Sequence, residues 1–248
     1  MKPMTLLTAL AFGAFAAAPT LAQRSPLPPP EPIQHITGNV YKIFGGGGNT
    51  LVLVQKAGVV LIDTKMPGNG QAILDQVRTV TDKPITTIIN THSHPDHIGS
   101  TDFIREKYPN VQVISSENTK TEIAGNPMYK AGVLPNVTYK DRMTLGKGKE
   151  RIELYYFGPA HTTGDTFVVV PSAHLLFMGD VMAWDMAPFL PSGGASVLPV
   201  ALEKLVSTVK GVDIVVEGHG HVNNWKGLER FTRFNRALLT AARAAYDR

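Results

Sequence analysis

The chain has 248 residues, 24 Lys plus Arg against 20 Asp plus Glu, a net charge of +4, eight histidines and no cysteine. Without cysteine there are no disulfides and no thiolate metal ligands. The mildly basic balance, with no aromatic residues interleaved among the basic ones, argues against a nucleic-acid groove.

Residues 1–22 read as an export leader. Lys2 gives a positive start, residues 6–18 an apolar run short for a bilayer span, and Thr20-Leu21-Ala22 a small-residue cleavage pattern. Cleavage after Ala22 places the protein in the periplasm or outside the cell, with no stable membrane anchor, since no cysteine is available for a lipid. Residues 23–32 form a Pro-rich tether, five prolines falling in residues 24–32, and are expected to be extended and mobile. Residues 33–248 then make one domain, long enough for a large core.

Residues 38–44 and 50–54 read as strands on either side of Gly45-Gly46-Gly47-Gly48. A strand follows the glycines, and no Gly-Lys-Ser/Thr is present, so a flexible hairpin tip is expected rather than a phosphate loop. Residues 59–62 form an apolar strand that ends at Asp63. Apolar positions at Ala72, Ile73, Val77 and Val80 have helical spacing, and the β-branched run 85–90 is a buried strand.

That strand runs into Asn90-Thr91-His92-Ser93-His94-Pro95-Asp96-His97-Ile98-Gly99, so three of the eight histidines fall within six positions, with a carboxylate among them. Pro95 prevents one helix from running through the cluster and biases His94 toward extended backbone. Side chains two apart on extended chain face the same way. His92 and His94 can therefore share one ion while Asp96 and His97 turn toward a second. Imidazole with carboxylate suits zinc, manganese or iron. Ser100 can cap a helix to about residue 108, and residues 111–115 return to a sheet. Residues 117–136 carry no clear pattern and either shape a pocket or connect. Lys140, Arg142, Lys147, Lys149 and Arg151 read as a solvated strand edge guarded by cations, ahead of an anion-attracting patch.

The second half repeats one theme, a strand that ends in a metal-ligating residue. Residues 151–157 lead to His161 and Asp165, residues 175–178 to Gly179-Asp180, and residues 214–217 to Gly218-His219. His161 is the third nitrogen the first cluster needs, and Asp180 is the candidate bridging ligand. His221 competes with His219 and ranks behind it. Asp165 either holds its loop or a histidine, or is a turn residue. Residues 198–209 and 225–246 read as helices, the second with a core stripe of Leu228, Phe231, Phe234, Leu238 and Leu239.

Periodicity alone gives α/β or α+β. The His92-x-His94-x-Asp96-His97 motif, followed in order by His161, Asp180 and His219, resembles the metallo-β-lactamase superfamily of hydrolases over most of residues 39–219. The resemblance implies an α+β fold, an αββα sandwich. It further implies one zinc on His92, His94 and His161, a second on Asp96, His97 and His219, and Asp180 bridging, with iron or manganese as alternative metals. Asp63 becomes a buried group supporting the histidine loop, and Asp96 also orients the nucleophile. A metal-activated hydroxide would then attack an ester, thioester, lactone or similar acyl substrate of small-molecule size. β-Lactam hydrolysis ranks second, because lactamases of this motif usually lack a carboxylate at the position of Asp180. A mononuclear iron oxidoreductase resembling the persulfide dioxygenases is the alternative of another class.

Overall fold

The computed structural model describes residues 28–183, 189–190 and 194–247, so the leader and residues 23–27 of the tether lie outside the described residues. Two sheets face each other. The first contains β1 (Gln34–Thr37), β2 (Val40–Ile43), β3 (Thr50–Val54), β4 (Val59–Ile62), β5 (Ile85–Ile89), β6 (Gln112–Ser116) and β7 (Val137–Tyr139), side by side in that order. Between these strands lie α1 (Gly70–Arg78), the short α2 (Pro95–Ile98), α3 (Thr101–Lys107) and α4 (Glu117–Gly125). The second sheet runs from β8 (Arg142–Leu145) through β9 (Ile152–Tyr155), β10 (Phe167–Val170), β11 (Leu175–Phe177) and β12 (Ile214–Val216) to β13 (Val222–Asn224). It is completed by α5 (Leu198–Thr208) and α6 (Trp225–Tyr246).

Period-two alternation sorts the side chains into three layers. Leu51, Leu53, Val60 and Ile62 face Leu154, Val168, Val170 and Phe177 in the core between the sheets. Val52, Val59 and Leu61 point the other way, onto Ile73, Leu74 and Val77 of α1 and Ile104 of α3. On the opposite face, Val169, Leu176 and Val215 meet Leu202 and Leu205 of α5 and Leu228 and Phe231 of α6. Each sheet thus buries both faces, which gives the αββα sandwich. A fully buried Leu or Phe in such a layer contributes about 1.5–3 kcal/mol.

Strand direction decides where the loops gather. β4, β5, β6 and β7 pair in parallel in the first sheet and β11 and β12 in the second, and the residues that follow β5, β11 and β12 converge at one edge of the sandwich. Loops at the carboxyl ends of parallel strands are where open α/β sheets collect binding groups.

Several local expectations need correction. The glycine turn 45–48 is no flexible tip, because its backbone is largely buried and Gly48 N–H donates to the Asp96 carbonyl at 2.9 Å. The last tether residues are docked too. Gly46 N–H donates to the Pro28 carbonyl at 2.6 Å and Glu31 N–H to the Phe44 carbonyl at 2.8 Å. Ser100 does not cap α3 through its side chain; its hydroxyl donates to the Met66 carbonyl and accepts from Asn69 N–H. In α6, Phe234 and Leu238 are each 48% exposed and lie outside the core, because this helix of 22 residues outruns the three-residue strands it covers. The basic residues 140–151 do lie on and around β8, an edge strand, with Arg142 beside Glu153. Among the described residues no helix is long and apolar enough to cross a membrane.

Candidate metal centre

β5 ends at Ile89 and the chain leaves the sheet through Asn90 and Thr91, both buried. His94 has the extended backbone that a following proline demands, with φ −69° and ψ 143°, and α2 begins at Pro95. This break sends His92 and His94 one way and Asp96 and His97 another. The loop after β9 brings in His161, the turn after β11 brings Asp180, and the turn after β12 brings His219.

The result is two groups sharing one carboxylate. His92, His94, His161 and Asp180 form the first, and Asp96, His97, Asp180 and His219 the second, with the ligating atoms of each group within 4.8 Å of one another. Asp180 Oδ2 lies 4.0 Å from His92 Nε2, 3.7 Å from His161 Nε2 and 3.3 Å from His219 Nε2, while Oδ1 lies 3.1 Å from His97 Nε2. Asp96 Oδ2 is 3.0 Å from His219 Nε2. His221, exposed on the far side of Gly220, joins neither group, and His35 and His174 are also exposed.

The hydrogen bonds around the cluster decide what these nitrogens offer. Asp63 is fully buried and accepts from His97 Nδ1 at 2.7 Å, from Thr91 Oγ1 at 2.7 Å and from Thr91 N–H at 2.8 Å. Because the Thr91 hydroxyl proton goes to Asp63, its oxygen accepts from His92 Nδ1 at 2.9 Å. His161 Nδ1 donates to the Phe189 carbonyl at 2.6 Å. Three rings therefore use their Nδ1 protons on the outside and point Nε2 inward. His92 Nε2 is buried with no hydrogen-bond partner among the described residues. His94 Nδ1 and His161 Nε2 are 3.0 Å apart, and His97 Nε2 and His219 Nε2 are 3.3 Å apart.

Lone pairs and carboxylates converging in a buried space are costly unless a cation lies among them. The titration behaviour divides the cluster. Burial holds His92, His94 and His161 below the ordinary 6.5, which keeps them neutral and able to ligate. Burial also works against charge on His97, yet Asp180 and Asp63 together hold it well above 6.5. Asp180 is held far below 3.8, since the neighbouring His97 and His219 outweigh its burial. The donor set of imidazoles and carboxylates fits a divalent cation of the zinc, iron or manganese type.

Glycines make this convergence possible. A Cβ at Gly48 would overlap the His97 ring, and one at Gly218 would overlap Asp180 Oδ1. The mouth of the centre is a cleft of about 350 Å³ lined by Phe44, Gly46, Asp96, His161, Phe189 and His219 among others. A larger cleft of about 770 Å³ lies on the other side of His94, walled by Pro95, Pro127, Met128, Tyr129 and Val133. Residues 117–136 therefore form a pocket wall beside the ligand loop.

Supporting residues follow a less uniform pattern. Asp165 accepts from Thr162 N–H at 2.7 Å, so it closes the His161 loop and contacts no ligand ring directly. Sequence reasoning missed Lys65, whose buried Nζ donates to the Ile43 and Gly48 carbonyls at 2.8 Å each and pins the glycine turn. It also missed Asn49, which donates from N to the Gly218 carbonyl at 2.7 Å and from Nδ2 to the Glu217 and Gly220 carbonyls at 2.9 and 3.3 Å, bracketing His219. Thr91 was the more findable one, since a hydroxyl directly before the first histidine of the motif is a natural ring partner.

Comparison with known proteins agrees with this geometry. The model of the metallo-beta-lactamase superfamily matches residues 43–219, a stretch that contains all seven converging side chains. A probable metallo-hydrolase of Streptococcus pyogenes is 28% identical over 197 residues, covering 73% of this chain and 83% of the relative. The 2,4-dinitroanisole O-demethylase subunit alpha of a Nocardioides species is 31% identical over 150 residues, 59% of this chain. The match spans only 45% of that relative's length. In fold, the chain is similar to a metallo-beta-lactamase from Pontibacter korlensis, with a TM-score of 0.72 at 23% identity over 84% of this chain and 99% of that one. The chain belongs to the metallo-beta-lactamase superfamily, whose metal-dependent hydrolase chemistry its converging histidines and aspartates are suited to support.

Proposed function

We propose that the protein is an exported dinuclear zinc hydrolase of ester, thioester, lactone or similar acyl substrates. The observation that carries this reading is the position of Asp180, whose two oxygens reach into both nitrogen groups. His92, His94 and His161 would hold one zinc, Asp96, His97 and His219 the other, and Asp180 would bridge them. When bound, the two cations would acidify a water and polarise the scissile carbonyl. The chain's own contribution is placement and charge. Asp96 and Asp180 supply only two formal negative charges against the four of two divalent ions, which favours an anionic nucleophile and a developing oxyanion. Asp96, at the mouth and 26% exposed in its side chain, is the residue placed to orient the attacking water. Phe44 and Phe189 flank the mouth and limit water around the substrate.

Two features separate this reading from its alternatives. A complete second group beside the first favours a dinuclear centre over the mononuclear iron of a dioxygenase-like enzyme. Asp180 favours a broad acyl hydrolase over a β-lactamase of the same motif. Export rests on the leader pattern of residues 1–22, and intact mass of protein recovered from the periplasm should begin at Gln23. Turnover by zinc-loaded protein across lactam, lactone, thioester and phosphodiester substrates tests the reaction. Hydrolysis of a thioester or lactone well above that of lactams is expected, and a preference for lactams or phosphodiesters would overturn the assignment.

A further inference from the structure

Glu122 sits on α4, far in sequence from every residue of the metal centre, yet its half-buried carboxylate joins the two loops that carry the first nitrogen group. Oε2 accepts from the hydroxyl of Ser93 at 2.7 Å. Oε1 accepts from Thr163 N–H at 3.1 Å and from the Thr163 hydroxyl at 2.5 Å. Ser93 lies between His92 and His94, and Thr163 is two residues after His161. Tyr129, just past the same helix, donates its hydroxyl to the Ser93 carbonyl. The separation of His94 Nδ1 from His161 Nε2, 3.0 Å, is thus spanned on the outside by one charged clasp. No such contact is made to Asp96, His97 or His219 among the described residues.

We propose that Glu122 is a positioning residue for the first metal site. It fixes the distance between the His92–His94 loop and the His161 loop, and Tyr129 fixes the loop's tilt from the same segment. The inference rests on the dinuclear reading, so its test must separate the two sites. Charge-assisted hydrogen bonds hold more firmly than neutral ones, and three of them converge on this carboxylate. Loss of groups that orient ligands typically costs about 10–100-fold in metal affinity.

The experiment uses full-length protein and zinc, measured by competition with a chromophoric chelator in two backgrounds. H97A leaves the first group whole, and H161A leaves the second. Adding E122A to H97A should weaken zinc by about 10–100-fold. Adding it to H161A should leave zinc affinity unchanged. E122Q should recover most of the loss, because the amide keeps an acceptor for Thr163 and can donate to Ser93 Oγ. If E122A protein does not fold, as judged by thermal melting, S93A carries the same comparison. Equal weakening in both backgrounds would mean a general structural role, and no weakening in H97A would mean no role; either outcome overturns the proposal. Failure of both parent backgrounds to bind zinc would overturn the dinuclear reading itself, and this inference with it.

Discussion

Asp63 Oδ2 takes the Nδ1 proton of His97 at 2.7 Å, and the same carboxylate sets the His92 tautomer through Thr91. One buried group thereby aims a nitrogen into each of the two ligand groups. Asp63 has left-handed backbone, φ +63°, and this turns its side chain back under the ligand loop. Replacing it by Asn removes the charge that favours the inward lone pairs. Asp63→Asn should weaken zinc at both sites, by about 10–100-fold, in a chelator competition. Unchanged affinity would show that the ligand loop orients its rings without Asp63.

Asn49 acts on the second site from the other sheet. Its side chain donates to the Glu217 and Gly220 carbonyls at 2.9 and 3.3 Å, one on each side of His219. Asn49→Ala leaves the buried Glu217 carbonyl without that donor, at a cost of about 1–3 kcal/mol. The midpoint of denaturant unfolding should fall, and one zinc per chain should become easier to strip than the other. A lower midpoint with both ions held as before would limit Asn49 to a structural part.

Asp165 gives the protein a pH signature. It is fully buried, and burial raises its carboxyl from 3.8 to about 7. A raised carboxyl means that the folded state binds its proton more tightly than the unfolded state does. Its contribution is therefore full below pH about 4, falls as pH climbs, and levels off above about 7, a span on the order of a few kcal/mol. Asp165→Asn cannot ionise. The stability difference between wild type and variant should shift in favour of the variant between pH 4 and 8 in metal-free protein. A difference independent of pH would place the Asp165 carboxyl in its ordinary range.

Local rules displayed the strands and the histidine cluster, while the sandwich and the full set of seven side chains followed from the family resemblance of the ordered motifs. Strands such as residues 85–89 announce themselves by β-branched runs, and a proline inside a histidine cluster forces the splay that puts His94 and Asp96 in different ligand groups. What stayed hidden is what depends on distant partners. Glu122 looks like any helix-surface acid until the fold sets it against Ser93, 29 residues away, and Thr163, 41 away. The buried glycine turn misled for the same reason, since its burial comes from Lys65 and from the backbone of Asp96, which local flexibility does not predict. The half-exposed end of α6 shows the reverse error. A regular apolar stripe says that a helix has a face, and how much of it is covered depends on the size of the sheet beneath.

Metal content of wild type and Asp180→Ala after dialysis against trace zinc tests most directly whether Asp180 holds two zinc ions together. Wild type should approach two zinc per chain. In the variant, three protein ligands remain to each ion, but the shared charge that offsets their repulsion is gone. The site on Asp96, His97 and His219 should empty first, so the variant should approach one zinc and lose most of its hydrolysis. One stable iron per wild-type chain without zinc-dependent hydrolysis, or two zinc ions and full turnover in Asp180→Ala, would contradict the account.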